Sequence, residues 1–230
     1  MKIIIKSLFS LFYPRLCVGC GNALLQGEQR LCVYCQLHMP ETNFHLKHEN
    51  PLLEVFAGRV PVREVAALLY YNKGSMVQRV LHHLKYKGEK ELGYDLGLYY
   101  GKLLKTEPRF SSIDCILPIP LHPKKMRKRG YNQSEWIAMG LSEGLGIPLL
   151  TDVLIREQFT ETQTKKGRFS RWENVKEVFA VKNTQKIVGR HVLVCDDVLT
   201  TGATMEAALQ HLVQVEGVTV SVVALATAGH

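Results

Sequence analysis

Two stretches of this 230-residue chain place ligating side chains at spacings that imply chemistry. In VLVCDDVLTTGAT, Val192 to Thr204, an apolar run leads into two adjacent carboxylates, Asp196 and Asp197. Val198 and Leu199 then lead to Thr200, Thr201, Gly202, Ala203 and Thr204. Small hydroxyl residues around a glycine, at the entry to a helix, form a concavity of backbone N–H groups that suits a phosphate. Gly202 lets the backbone approach closely, and the threonines add hydroxyl donors. Carboxylates beside such a cradle cannot hold the phosphate; they suit the hydroxyls of a sugar or a magnesium ion. The implied ligand is a sugar phosphate with free hydroxyl groups.

The second stretch is CVGCGNALLQGEQRLCVYC, with Cys17, Cys20, Cys32 and Cys35 as C-x2-C, eleven residues, C-x2-C. Each pair can set two thiolates on one side of a tight turn, and two such turns complete a tetrahedron around zinc, with sulfurs about 2.3 Å from the metal. Gly21 suits a turn that needs positive φ, and Gly27 marks the tip between the pairs. Four thiolates leave no open position for water, so the zinc is read as structural. The competing reading is a redox dithiol or two disulfides. The absence of an export signal points to a reducing, cytoplasmic setting, which disfavours disulfides. His38 follows close enough to compete as a ligand. His45 and His48 sit in a polar stretch and read as solvated, and Cys115 and Cys195 read as buried packing.

Cations form a third signal. The formal charge is +8. KKMRKRGYNQ carries five cations in six residues, and KKGRFSRW adds four more. Lys85, Lys87, Lys124, Arg127, Arg129, Lys165, Lys166, Arg168 and Arg171 are the candidate contacts to a pyrophosphate or to nucleic acid, with Tyr131, Trp136 and Trp172 as stacking surfaces.

An α/β body must position these groups. Apolar runs at SSIDCILPIP, HVLVCDD and VTVSVVALAT read as strands, the middle one ending at the acidic pair. SMVQRVLHHLK reads as a helix capped by Ser75, burying Val77, Val80, Leu81 and Leu84. ELGYDLGLYYGKLL is expected to bury Leu92, Leu96, Tyr99 and Leu103, and NQSEWIAMGLSEGLG is expected to end at glycine. EVFAGRVPVREVAALLYY reads as extended chain with a turn near Gly58. Residues 157–171 form a long polar loop of the kind that serves function, here as a cover for the site. Ligands of such folds sit at the carboxyl ends of the strands, which is where Asp196 and Asp197 fall. The N-terminus, MKIIIKSLFSLFYPRLC, reads as an amphipathic helix ending before Pro14, with weak membrane-surface contact at most and no membrane span. The expected units are residues 1–45, an N-terminal helix and zinc module, and residues 46–230, the α/β domain.

The thirteen positions from Val192 to Thr204 resemble the 5-phosphoribosyl-1-pyrophosphate (PRPP) signature of type I phosphoribosyltransferases. The resemblance implies a parallel sheet flanked by helices, with Asp196 and Asp197 on the ribose hydroxyls and Thr200 to Thr204 on the 5′-phosphate, Mg2+ accompanying PRPP. The order of the cysteine module, LKYKG, PIPLHPKKMRKRGYNQS, TQTKKGRFSRWENV and the PRPP stretch resembles the ComF family (ComFC and GntX-like proteins) over nearly the whole chain. That family is associated with DNA uptake in natural transformation. The resemblance implies a PRPP-binding protein that handles single-stranded DNA; a zinc module that docks a helicase or recombination protein is a third reading, compatible with this one and with the next. The alternative is an active phosphoribosyltransferase, of amido or nucleobase type, acting through a cationic sugar transition state. Thr200 stands where 6-oxopurine enzymes usually carry an aspartate, which disfavours that substrate class.

Overall fold

The structure is a computed structural model and describes residues 14–158 and 177–228. The N-terminal helix, most of the long polar loop and the cations Lys165, Lys166, Arg168 and Arg171 lie outside the described residues, as does Trp172. The elements are α1 (Val33–Leu37), α2 (Pro51–Glu54), β1 (Val65–Tyr71), α3 (Met76–Tyr86), α4 (Lys90–Lys105), β2 (Cys115–Pro118), α5 (Pro123–Arg129), α6 (Gln133–Leu145), β3 (Leu154–Gln158), β4 (Glu177–Val181), β5 (His191–Leu199), α7 (Ala203–Leu212) and β6 (Thr219–Ala228). Four strands form a parallel sheet in the order β1-β6-β5-β2, and β3 pairs with β4 antiparallel. Continuous apolar runs make the inner strands: Val192 to Cys195 and Val222 to Ala226 are fully buried, as a sheet covered on both faces requires. Helices flank this sheet, so the α/β class expected from the sequence is the observed one. No described helix is long and apolar enough to cross a membrane.

Helix α3 matches its pattern. Ser75 accepts from the Gln78 N–H at 3.2 Å, and Val77, Val80, Leu81 and Leu84 are buried. Helix α4 differs from expectation. Tyr100 and Leu104 are fully buried, Tyr99 is 44% exposed and Leu103 is only partly buried. The reason is a glycine seam. A Cβ at Gly97 would strike the Ile137 carbonyl, and one at Gly144 would lie 2.8 Å from the Gly101 Cα, so α4 and α6 meet backbone to backbone and the seam sets the buried face. The stretch before β1 also differs. Gly58 turns at φ 70° and β1 is extended, as expected, but residues 54–57 continue from the helical turn α2, with the Phe56 and Ala57 N–H groups donating to the Leu53 and Glu54 carbonyls at 3.1 and 3.2 Å.

The cysteine module docks on this body. Val18 and Leu31 are buried in the same apolar core as the sheet. Arg79 Nε donates to the Gly19 carbonyl at 2.5 Å, and Arg30 pairs with Asp95 at 2.9 Å and with Glu89 and Glu91 at 3.5 and 3.7 Å. His45 is buried rather than solvated, its ring edge-on to Tyr100, because the turn at residues 44–46 packs onto the sheet; burial lowers its pKa. His48 is exposed.

Candidate functional site

Strand β5 carries the acidic pair and is longer than its sequence suggests. It runs through both aspartates to Leu199, with Val198 and Leu199 paired to Ala226 and Thr227 of β6, because the apolar alternation continues past the charges. Asp197 is buried and Asp196 half-buried. Asp196 Oδ1 accepts from Ser134 Oγ at 2.7 Å and from the Asp197 N–H at 2.8 Å. Asp197 Oδ1 pairs with Lys85 Nζ at 2.9 Å, while its Oδ2 is buried without a hydrogen-bond partner among the described residues. Burial, and then the charge of Asp197, push the Asp196 carboxyl up to about 7; Ser134, the Asp197 N–H and Lys85 pull against that rise.

The loop after β5 is built as a cradle. Gly202 sits at φ 75° as the N-cap of α7, where a Cβ would collide with Val55. Among the described residues no side chain caps the first turn of α7, so its N–H groups face outward beside exposed Thr200, Thr201, Ala203 and Thr204. A helix N-terminus left so is an anion site.

Both features open into one cavity of about 800 Å³, within the usual range for small-molecule sites. β5 and its loop contribute Asp196, Asp197, Val198, Thr200 and Thr204. β1 and α3 contribute Tyr71, Gln78, His82, Lys85 and Tyr86; α5 contributes Lys125, Lys128 and Arg129; β3 contributes Arg156. The cations of α5 are thus sorted by helix period. Lys125, Lys128 and Arg129 line the cavity, whereas Lys124 and Arg127 are exposed outside it. Lys87 is exposed at the end of α3. Arg129 lies over the Tyr86 ring at 5.3 Å and donates to Gln133 Oε1. Tyr131 lines the cavity, but its hydroxyl donates to the Leu84 carbonyl; Trp136 is covered by Lys90 Nζ at 4.6 Å.

The four module cysteines gather as expected. Their sulfurs all lie within 4.8 Å of one another, so the cluster can hold a metal ion. Gly21 and Gly27 take φ 79° and 95°, the turns the spacing called for. N–H groups of Cys32 and Cys35 donate to the sulfurs of Cys17 and Cys32 at 3.3 and 3.4 Å, a pattern that favours thiolates. Such a set fits zinc, and all six cysteines are free of disulfides. His38 stays out of the cluster, its Nδ1 against the Tyr34 carbonyl at 2.8 Å.

A family model described as the phosphoribosyl transferase domain matches residues 132–230. "DNA utilization protein YhgH" of Escherichia coli O157:H7 is 26% identical over 224 residues, 91% of this chain and 95% of that protein. "Competence protein F" of Haemophilus influenzae is 34% identical over 93 residues, 40% of this chain and 41% of that one. "Competence protein ComFC" of Bacillus subtilis is 24% identical over 212 residues, covering 83% and 81%. The chain is thus similar to ComF-family, phosphoribosyltransferase-like proteins over most of its length.

Several side chains in the cavity of this ComF-like protein were not singled out from its sequence. Lys125 and Lys128 could have been, by reading α5 at its helical period. Ser134 is announced only by its place two residues after the helix-capping Asn132, and its partner Asp196 is 62 residues away. His82 and Tyr86 lie one turn apart on α3, with rings 5.2 Å apart, opposite the apolar face that dominates the helix pattern.

Proposed function

We propose that this protein binds PRPP, with Mg2+, at the carboxyl edge of its sheet and binds single-stranded DNA through the adjoining basic faces, in the service of DNA uptake during natural transformation. The observation that carries the reading is the meeting of Asp196 and Asp197 with the uncapped start of α7 in one cavity. The ribose hydroxyls donate to the two carboxylates, and the buried, unpartnered Oδ2 of Asp197 is an acceptor suited to one of them. The 5′-phosphate takes the N–H groups of Thr201 to Thr204. Lys125, Lys128 and Arg129 face the pyrophosphate, while the exposed Lys124 and Arg127 meet nucleic acid, together with Lys165, Lys166, Arg168 and Arg171. Relatives named for DNA utilization and competence support the nucleic-acid half of the reading. The zinc module, residues 1–45, is structural and offers a face to a helicase or recombination partner; residues 46–230 form the PRPP-binding unit. The protein acts in the cytoplasm.

One observation favours turnover as a second reading. Beyond the acids the cavity continues to Tyr71, Gln78, His82 and Tyr86, room for an acceptor that would attack the ribose as pyrophosphate leaves. The experiment combines titration calorimetry with Mg2+-PRPP and fluorescence anisotropy with an unstructured oligonucleotide. Asp196→Asn with Asp197→Asn should lose PRPP at least a hundredfold and keep DNA. Lys124→Glu with Arg127→Glu should weaken DNA and reduce the log–log salt slope by about 0.7 per lost contact. Unchanged PRPP affinity in the first variant, or no DNA binding at low salt, overturns the corresponding half. Consumption of PRPP with a base or an amine would move the second reading ahead.

A further inference from the structure

The stretch from Gly130 to Ser134, GYNQS, reaches both members of the acidic pair, through Ser134 on Asp196 and through Tyr131 on the residue before Lys85. We infer that Ser134 and Tyr131 are positioning residues that set the two carboxylates for the ribose hydroxyls, an inference that rests on the PRPP reading. All of the polar groups of Ser134 are committed. Its N–H donates to Asn132 Oδ1 at 3.2 Å, its carbonyl accepts from Cys195 Sγ at 3.4 Å, and its hydroxyl donates to Asp196 Oδ1 at 2.7 Å. The side chain is 1% exposed, so nothing but Asp196 competes for that hydroxyl proton. Asn132 closes the bracket, donating to the Ile119 carbonyl at 3.0 Å, and the Ile119 N–H donates to the carbonyl of Cys195 at 2.9 Å. The residue before the acidic pair is thereby held from both sides.

Two donors on Oδ1, Ser134 Oγ and the Asp197 N–H, fix the rotation of the Asp196 carboxylate. They leave Oδ2 without a hydrogen bond among the described residues, in a side chain that lines the cavity. A hydroxyl of the sugar needs such an acceptor, presented in one orientation before it arrives. Tyr131 acts on the other carboxylate at one remove. Its hydroxyl donates to the carbonyl of Leu84 in the last turn of α3, and the next residue, Lys85, is the cation paired with Asp197. One five-residue turn therefore orients Asp196 directly and Asp197 through Lys85.

The test uses the full-length, zinc-loaded protein and compares two probes by calorimetry: Mg2+-PRPP, which carries ribose hydroxyls, and Mg2+-pyrophosphate, which does not. For Ser134→Ala the loss of affinity for PRPP should exceed the loss for pyrophosphate by about tenfold, the effect of removing one hydrogen bond to a charged group. Ser134→Thr keeps the hydroxyl and should recover most of the loss. Tyr131→Phe, which deletes only the bond to Leu84, should show the same preference for PRPP with a smaller amplitude, and it guards against a threonine that does not fit. Equal losses for the two probes in both Ser134→Ala and Tyr131→Phe, or full PRPP affinity in both, overturn the positioning role. A wild-type protein that binds no PRPP overturns instead the reading on which it rests.

Discussion

Strand β5 carries polar residues at its start and again near its end, and the two places are built to opposite rules. At the amino end His191 is buried and fully matched: its ring nitrogens meet Ser112 Oγ at 2.9 Å and Ser221 Oγ at 2.8 Å, and its N–H donates to Asp114 Oδ2 at 2.7 Å. Near the carboxyl end two acids sit side by side, one buried oxygen has no partner among the described residues, and a cavity opens beside them. The same strand, with the same hydrogen-bonding neighbour β6, carries a closed polar network at one end and an unfinished one at the other. Polar residues buried in a sheet are therefore not in themselves a sign of a site. What marks the site is an interaction left open, with repelling charges held together by the surrounding fold.

The contrast can be tested from both ends. The largest effect is expected at the closed end. His191→Ala removes the partner of two serine hydroxyls and leaves a void, and should cost about 3 kcal/mol in urea unfolding while PRPP affinity stays within a factor of two. A loss of PRPP affinity comparable with the loss of stability would break the comparison. Next comes the open end, where the effect should have the opposite sign. Asp196→Asn keeps an acceptor for Ser134 but removes the repulsion with Asp197, so ligand-free protein at pH 8 should gain on the order of 2 kcal/mol. A variant less stable than wild type at that pH would show that the acids are matched after all.

The smallest effect is the shape of the pH dependence. The Asp196 pKa is raised to about 7 in the folded chain from an ordinary 3.8, so its contribution is fully present below about pH 4 and is lost as pH rises through 7. The His191 pKa is lowered from 6.5, by burial first and then by Arg63, so its contribution is present above about pH 6.5 and is lost as pH falls. The two ends oppose each other between pH 4 and 7. Stability of the Asp196→Asn variant, followed by thermal unfolding across that window, should therefore rise more steeply with pH than that of wild type. Parallel curves would remove Asp196 as the source of the difference.

The sequence announced the parts that are contiguous. Four cysteines in two pairs, and two acids followed by a threonine-glycine loop, carry their chemistry in local spacing, and the structure gathers both sets. What it hid depends on tertiary partners. The side chains that tune the acids, Ser134 and Lys85, are brought in by α6 and α3, and no local pattern links them to β5. The buried face of α4 was misjudged because apolar periodicity weighs leucine and tyrosine, whereas the seam is set by residues with no side chain. His45 was misjudged for a related reason: its neighbours in sequence are polar, and the apolar surface that covers it comes from elsewhere.

That seam bears on how finely the acidic end of the cavity can be held. Gly93 faces Ile137 and Gly101 faces Gly144, so α4 and α6 run in the same direction with their first turns together. The first turn of α6 holds Ser134 against Asp196, and the first turns of α4 hold Glu91 and Asp95 against Arg30 of the cysteine module. Two backbones in direct contact have no flexible side chains between them to take up error, so the pair behaves as a single beam with no play at the joint. A single methyl group added at Gly97 or Gly140 would have to be absorbed by moving one whole helix, and the angle at which a carboxylate meets a hydroxyl would move with it. The machining tolerance of the cavity is thus set at a seam of glycines that does not line it.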